Sequence, residues 1–295
     1  MKRWLMVLMA SAAMSMWAGA QDVWVRPYFF ADDPFSNFAA SFANGCLTIS
    51  DGSFDCDHPA CPGGDDCSCG WANRHVWFIT LDGISPAVFD PDSNGSTLEL
   101  EVTLTINPAM QSSRTIETGI FVVERPFPRY PVSVNNQCGW WADGQFMVAN
   151  ENGGGSGGEI AAFGGRLPFW NGNGIRYTGG AVTIVFRYDG SQKKVQYAIK
   201  DANNNEIANS GWLTPGDAAS TFNCGPHGLR FFSIGGYVQY NAVNSGNNPG
   251  GSVQFCRIKL NGKTVVGQSV GDVDVDGDVD DADLLTVLFN FGAGG

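Results

Sequence analysis

The chain has 295 residues, of which 43% are hydrophobic and 12% aromatic, enough to bury a sizeable core, so it is no disordered polymer. Its 39 glycines and 14 prolines imply many turns and little long helix. A net charge of -12 offers no electrostatic attraction to nucleic acid or to an anionic membrane surface.

Lys2 and Arg3 precede an apolar stretch from Trp4 to Ala13, and Ala18-Gly19-Ala20 supplies small residues before a cleavage point. This is the pattern of an export signal over residues 1–20, and it predicts a secreted protein, extracellular or at the cell surface. Ser11, Ser15 and Gly19 interrupt a run already short for a bilayer, and no later segment has the length to span one. Removing the signal takes Lys2 and Arg3 with it, so the net charge falls from -12 to -14.

From Gln21 to about residue 266 the chain alternates short β-branched and aromatic runs with Gly, Asn, Asp and Pro clusters. Near the start of this region five cysteines, Cys46, Cys56, Cys61, Cys67 and Cys69, fall within a loop over residues 44–70. The other three are Cys138, Cys224 and Cys256. In an exported chain eight cysteines favour disulfides. Five is odd, so complete pairing within the molecule needs at least one bridge from this loop to the body. Zinc held by Cys56, His58, Cys61 and Cys67 is the alternative, but their spacing is not the C-x2-C pair that preorganises a tetrahedral thiolate site.

The clearest strand is Thr97 to Ile106, where Leu98, Leu100, Val102, Leu104 and Ile106 alternate with Glu99, Glu101, Thr103 and Thr105. Glu99 and Glu101 then belong to a solvated face. Ala181 to Tyr188 and Lys194 to Asp201 flank Asp189-Gly190-Ser191-Gln192-Lys193 and predict a hairpin. Arg230 to Tyr240 and Ser252 to Leu260 are further strands, and Asn261-Gly262 before Thr264 is a strong tight-turn signal. No helical period is apparent before residue 280, so the expected fold is all-β: an antiparallel two-sheet β-sandwich over residues 21–266. With the asparagine turn Asn203-Asn204-Asn205 and the run Gly251 to Ile258, the stretch from Ala181 to Val266 resembles the concanavalin A-like lectin and laminin-G jelly rolls. That resemblance implies a jelly roll from a family with sugar-binding and sugar-cleaving members.

Residues 272–283 read Asp-Val-Asp-Val-Asp-Gly-Asp-Val-Asp-Asp-Ala-Asp. Calcium takes six to eight oxygens, and a 12-residue loop supplies them from positions 1, 3, 5, 7, 9 and 12 around a glycine at 6. Here these are Asp272, Asp274, Asp276, the Asp278 carbonyl, Asp280 through water, and Asp283, with Gly277 at the turn and Val279 as apolar anchor. Two features depart from an ordinary EF-hand: no helix precedes the loop, and position 12 is aspartate. Gly271-Asp272-Val273-Asp274, Gly277, Asp283-Leu284-Leu285, Leu288 and Phe289 resemble one repeat of a dockerin, the calcium-loop-plus-helix module that docks secreted proteins onto cohesin domains. The resemblance covers residues 271–292 and implies docking onto a cohesin-like receptor or a like half-module. After Asp283 the apolar residues ring most of a helix, so Leu284, Leu288 and Phe289 are the expected docking contacts. Residues 267–295 thus form a linker, with Gly267, Ser269 and Gly271, followed by the single repeat.

Catalytic patterns are weak. The glycine run Gly153 to Gly158 fits nucleophile-elbow and dinucleotide motifs by composition alone, and His58, His75 and His227 are too dispersed for a triad. Gly158-Glu159-Ile160-Ala161-Ala162-Phe163 is the nearest approach to the Glu-x-Asp-x-x-Glu strand of jelly-roll glycosidases, with Ala161 and Gly164 where the second and third carboxylates belong. No catalytic residue is therefore assigned. Trp140, Trp141 and Asp143, together with Trp170 beside Asn171 and Asn173, combine aromatic surface with amide or carboxylate groups and are candidate sugar-binding residues, although strand alternation normally buries one of each adjacent pair. The functional expectation is a non-catalytic, calcium-binding module for a glycan or cell-surface polymer. A secreted glycoside hydrolase or polysaccharide lyase, and a structural subunit of a sheath or filament, are the alternatives.

Overall fold

A computed structural model describes residues 22–26, 39–51, 54–55, 72–80, 87–89, 97–107, 116–124, 145–150, 158–164, 167–215, 232–241, 247–248 and 251–265. Its strands in chain order are β1 (Asp22–Arg26), β2 (Ala39–Ala43), β3 (Cys46–Asp51), β4 (Phe54–Asp55), β5 (Ala72–Thr80), β6 (Thr97–Asn107), β7 (Ile116–Glu124), β8 (Gln145–Asn150) and β9 (Gly158–Phe163). They continue with β10 (Arg176–Tyr177), β11 (Val182–Asp189), β12 (Lys194–Lys200), β13 (Glu206–Asn209), β14 (Phe232–Asn241), β15 (Asn247–Asn248), β16 (Gly251–Leu260) and β17 (Lys263–Thr264).

One seven-stranded antiparallel sheet has the order β1-β5-β14-β7-β8-β9-β10. The other, of eight strands, runs β13-β12-β11-β6-β16-β3-β2 with β17 on β16. The expected strand at Thr97 and the expected hairpin are β6, β11 and β12, and Asn261 (φ 51) and Gly262 (φ 77) make the tight turn that returns β16 to β17.

Period-two alternation builds the core. Leu98, Leu100, Val102, Leu104 and Ile106 of β6, with Ile184, Phe186 and Tyr188 of β11, meet Trp77 and Ile79 of β5, Ile120 and Val122 of β7, and Phe146 and Val148 of β8 in one buried cluster between the sheets. Tyr240 of β14 lies within this layer, and its hydroxyl is 3.1 Å from the carbonyl oxygens of Ile49 and Gly251, so a phenol from one sheet engages the backbone of the other. Nearby, His75 Nε2 and Asp51 Oδ2 are 2.8 Å apart with both side chains fully buried. Tyr177 of β10 makes a second link, accepting from Ile106 N at 2.9 Å and donating to Gly180 O at 2.8 Å. Burial pushes the Tyr177 hydroxyl up despite the bond it accepts from the Ile106 amide.

The seven-stranded sheet is buried on its outer face too, where Val76, Phe78, Phe121, Met147, Ala149 and Tyr237 form a second cluster joined by Phe163. Register sets Phe121 opposite Gly235 and Tyr237 opposite Gly119. A methyl group at Gly235 or Gly119 would lie 1.9 Å from the Trp77 or Phe146 carbonyl oxygen, so both positions exclude a side chain.

On the outer face of the eight-stranded sheet the carboxylates are less free than alternation implied. Arg187 Nε donates to Glu99 at 2.6 Å, and its Nη1 reaches Gln196 at 2.8 Å and Glu206 at 3.0 Å. Glu101 is only 5% exposed and holds both Lys200 and Lys259, the latter at 3.1 Å. Sequence alternation shows which face a residue takes, but not that long lysine stems from the adjacent β16 and, across β11, from β12 cover it.

Burial alone would raise the Glu101 carboxyl, but hydrogen bonds from Lys200 and Lys259 outweigh it and hold the group below the ordinary value of 4.5. A lowered acid contributes stability above its unfolded pKa and loses it as pH falls through the folded value. Glu101→Gln is therefore expected to cost about 1–3 kcal/mol at neutral pH. The deficit should narrow on acidification below 4.5, as read by urea unfolding at two pH values. A pH-independent deficit would show that the lysine bonds are not its source.

The bridge Cys46–Cys256, with Cα atoms 4.2 Å apart, joins directly opposed positions of β3 and β16. Cys46, expected in the loop over residues 44–70, thus begins strand β3 and is tied through it to the body. Cys56, Cys61, Cys67, Cys69, Cys138 and Cys224 lie outside the described residues, as do residues 1–20 and 266–295. Among the described residues no helix is long and apolar enough to cross a membrane.

Candidate functional site

The β9 edge of the seven-stranded sheet is closed by two short contacts. At one end Ala162 and Trp170 exchange backbone hydrogen bonds at 2.8 and 2.9 Å. At the other, β10 pairs with β9, setting Arg176 opposite Glu159 and Tyr177 opposite Gly158. Between them the chain makes a single 3-10 turn over Gly172–Gly174. Gly172 has φ +63, and a methyl group there would lie 2.4 Å from the Ile160 carbonyl oxygen, so only glycine permits both the turn and its approach to β9.

Asparagine chemistry fixes this turn. Asn171 Oδ1 accepts from Asn173 N at 3.1 Å, and Asn173 itself is left-handed at φ 53. Asn173 Oδ1 accepts from Trp170 Nε1 at 2.9 Å, and its Nδ2 donates to the carbonyl of Asn209, the last residue of β13, at 3.3 Å. Asn209 continues the belt, taking Gly211 N at 3.0 Å and donating to Glu206 at 2.8 Å. The belt fastens the edge of one sheet to the edge strand of the other.

Trp170, an expected sugar platform, is 7% exposed. Its ring stacks with Phe146 and Tyr197 at centroid distances of 5.8 and 6.2 Å, so it belongs to the core and acts on the surface only through the bond that positions Asn173. The neighbouring Phe169 takes the exposed role, at 67%. Alternation about the bridge explains the exchange: Trp170 shares the inner face with Ala162, and the residue before it turns the other way. The pairing also sets Phe169 beside Phe163, which packs on the outer apolar cluster. Trp212, 39% exposed, precedes Leu213, which bridges to β12 of the other sheet.

The outer side of this edge thus presents, along β9, Phe163 and Phe169 at one end, the exposed Asn171, and at the other end Glu159 opposite Arg176 in strand register. The arrangement offers one apolar platform and several polar groups of both donor and acceptor type, with no assembled nucleophile or triad. Further in on the same face, Glu117 of β7 is buried and accepts from Gln239 at 3.1 Å.

Trp140, Trp141 and Asp143 lie outside the described residues, as do the calcium-loop positions Asp272, Asp274, Asp276, Asp278, Asp280 and Asp283 and the docking positions Leu284, Leu288 and Phe289. Among the described residues no group of three or more His, Cys, Asp or Glu gathers to hold a metal ion.

No protein-family model matches the chain, and no curated protein matches it. Similar solved structures include a legume lectin-like domain from Entamoeba histolytica, at 8% identity and a TM-score of 0.39 over 82% of this chain and 89% of that one. The lectin UEA-II complexed with galactose is similar at 10% identity and a TM-score of 0.42, over 80% and 97% of the two chains. The carbohydrate recognition domain of Emp46p in its potassium-bound form gives 8% identity and a TM-score of 0.38, over 83% and 90%.

Proposed function

We propose that this is an exported, non-catalytic carbohydrate-binding protein whose sandwich holds a glycan at the β9 edge and whose C-terminal repeat binds calcium and attaches the chain to a partner. The observation that carries the sugar reading is Phe169, exposed on a rigid edge beside the Asn171–Asn173–Asn209 belt. A pyranose has an apolar C–H face and a rim of hydroxyls. An aromatic ring supplies surface for the first, and amides or charged groups give directional bonds to the second. Asn173 and its belt fix Trp170 and the turn that follows Phe169 before the ligand arrives, which lowers the ordering cost of binding.

The calcium reading rests on the ligand spacing at residues 272–283, which makes a large all-oxygen cage suited to calcium over magnesium. Attachment through Leu284, Leu288 and Phe289 rests on a short helix with apolar residues around most of its circumference, since such a helix is not stable in water by itself.

Retention of the purified protein on immobilised plant and microbial polysaccharides, with reducing-end release measured in parallel, tests the sugar reading. Retention without release is the expected result. Release would transfer the assignment to a glycoside hydrolase or lyase, and absence of retention on every polymer would overturn the reading. Calorimetry should show calcium binding that the Asp272→Ala and Asp283→Ala double variant loses.

A further inference from the structure

Among the described residues four large apolar side chains are exposed, and three of them, Phe169, Ile207 and Trp212, lie on the two segments that the asparagine belt joins. Phe169 precedes Trp170, whose indole nitrogen donates to Asn173 at 2.9 Å. Trp212 follows Gly211, whose amide donates to Asn209 Oδ1 at 3.0 Å. Between them Asn173 Nδ2 meets the Asn209 carbonyl at 3.3 Å, so an exposed ring flanks each end of a continuous hydrogen-bonded path from one sheet to the other.

The two segments are also tied together below the surface. Trp170 stacks on Tyr197 of β12 at 6.2 Å with an interplanar angle of 11°. The Tyr197 amide donates to Ser210 Oγ at 3.0 Å, and its carbonyl accepts from Ser210 N at 2.9 Å. The segment that carries Trp212 is therefore bonded to the residue that supports the segment carrying Phe169. The belt amides are committed to this task. Asn173 gives its oxygen to Trp170 and its nitrogen to the Asn209 carbonyl. Asn209 gives its own oxygen to Gly211 and its nitrogen to Glu206, which Arg187 also holds at 3.0 Å. The path presents a ligand with two separate rings on a fixed frame and polar surface between them. A protein partner calls for a contiguous apolar centre. A sugar chain presents one C–H face per unit with hydroxyls between, which suits separate rings.

We infer that the glycan crosses the asparagine belt from the β9 edge onto the eight-stranded sheet, with Phe169 and Trp212 stacking on different sugar units of one chain. This rests on the carbohydrate reading and extends it: the ligand is a stretch of at least two units, and Trp212 is a second stacking residue. Two contacts on one chain act with an effective concentration that neither has alone, so affinity rises with chain length until both rings are reached.

Titration calorimetry of the full chain with gluco-, xylo- and manno-oligosaccharides of one to six units tests this. The parent should gain about tenfold in affinity from the monosaccharide to the hexasaccharide of the preferred series. Trp212→Ala and Phe169→Ala should each weaken hexasaccharide binding about tenfold, the loss of one stacked ring, and flatten the rise with length. Trp212→Tyr keeps a ring at the position and should retain most of the rise. The indole N–H resonance of Trp212, assigned by its loss in Trp212→Tyr, should move when the parent is titrated with the hexasaccharide, a readout that needs no truncated variant. An unmoved Trp212 resonance, with a folded Trp212→Ala variant binding the hexasaccharide as the parent does, would overturn the crossing and leave sugar binding at Phe169 intact. Equal affinity for monosaccharide and hexasaccharide would overturn the two-ring chain. Binding of no oligosaccharide, with no retention on any polysaccharide, would overturn the sugar reading itself, a separate and distinguishable failure.

Discussion

Replacing both Cys46 and Cys256 by alanine is expected to lower the unfolding free energy by about 5 kcal/mol, the largest effect of any local change in the fold. The two cysteines are 210 residues apart in sequence, so their bridge closes most of the chain into one loop and removes conformations chiefly from the unfolded state. A loop of that length corresponds to about 5 kcal/mol in the chain-entropy description. The position adds a second consequence. In the eight-stranded sheet β3 and β2 lie beyond β16 at one edge, so the bridge clamps the last two strands to the body. Amide exchange should therefore accelerate first in β2 and β3 of the double variant. Denaturant unfolding checks the magnitude, and a loss below 1 kcal/mol, with unchanged exchange in β2 and β3, would show that strand pairing alone holds this edge.

Trp77→Ala is the second large expected loss, about 3–5 kcal/mol. Trp77 is fully buried between the sheets and meets Phe255 of the opposite sheet edge-on at 5.4 Å. Its own sheet is shaped around it: a methyl group at Gly236 would fall 2.5 Å from the indole ring, so the neighbouring strand is bare where the tryptophan lies. Truncation leaves a cavity on one side and an unfilled glycine position on the other. Trp77→Phe should recover much of the loss by refilling the ring volume. If the alanine variant unfolds within 1 kcal/mol of the parent, Trp77 is not the central contact between the sheets.

The sandwich was legible in the sequence wherever one face is wet and the other dry. The alternation in Thr97–Asn107 and the Asn261-Gly262 turn both specify local geometry through backbone period and positive φ. The middle of the seven-stranded sheet was less legible because it is buried on both sides: in Ile116–Glu124 and Phe232–Asn241 apolar residues or glycines occupy inner and outer positions alike, which erases the period-two signal.

At the candidate site, composition drew attention to Trp170 with Asn171 and Asn173, and the two asparagines do shape the surface. Which of two adjacent aromatics faces water depended on the bridge from Trp170 to Ala162, a contact between segments that no local pattern announces. Glu159 and Arg176 were separated by an asparagine- and glycine-rich turn, and only strand register brings them face to face. A buried Glu101 was likewise invisible, because its burial comes from lysines 99 and 158 residues away in sequence.

Titration calorimetry of Phe169→Ala against the parent protein, using the best-retained polysaccharide, distinguishes a sugar site at the β9 edge from one elsewhere. Phe169 is 67% exposed and outside the core, so its truncation should leave thermal unfolding in place. Loss of one stacking contact of about 1.4 kcal/mol predicts roughly tenfold weaker binding. Unchanged affinity in a folded Phe169→Ala variant would move the binding surface elsewhere on the protein.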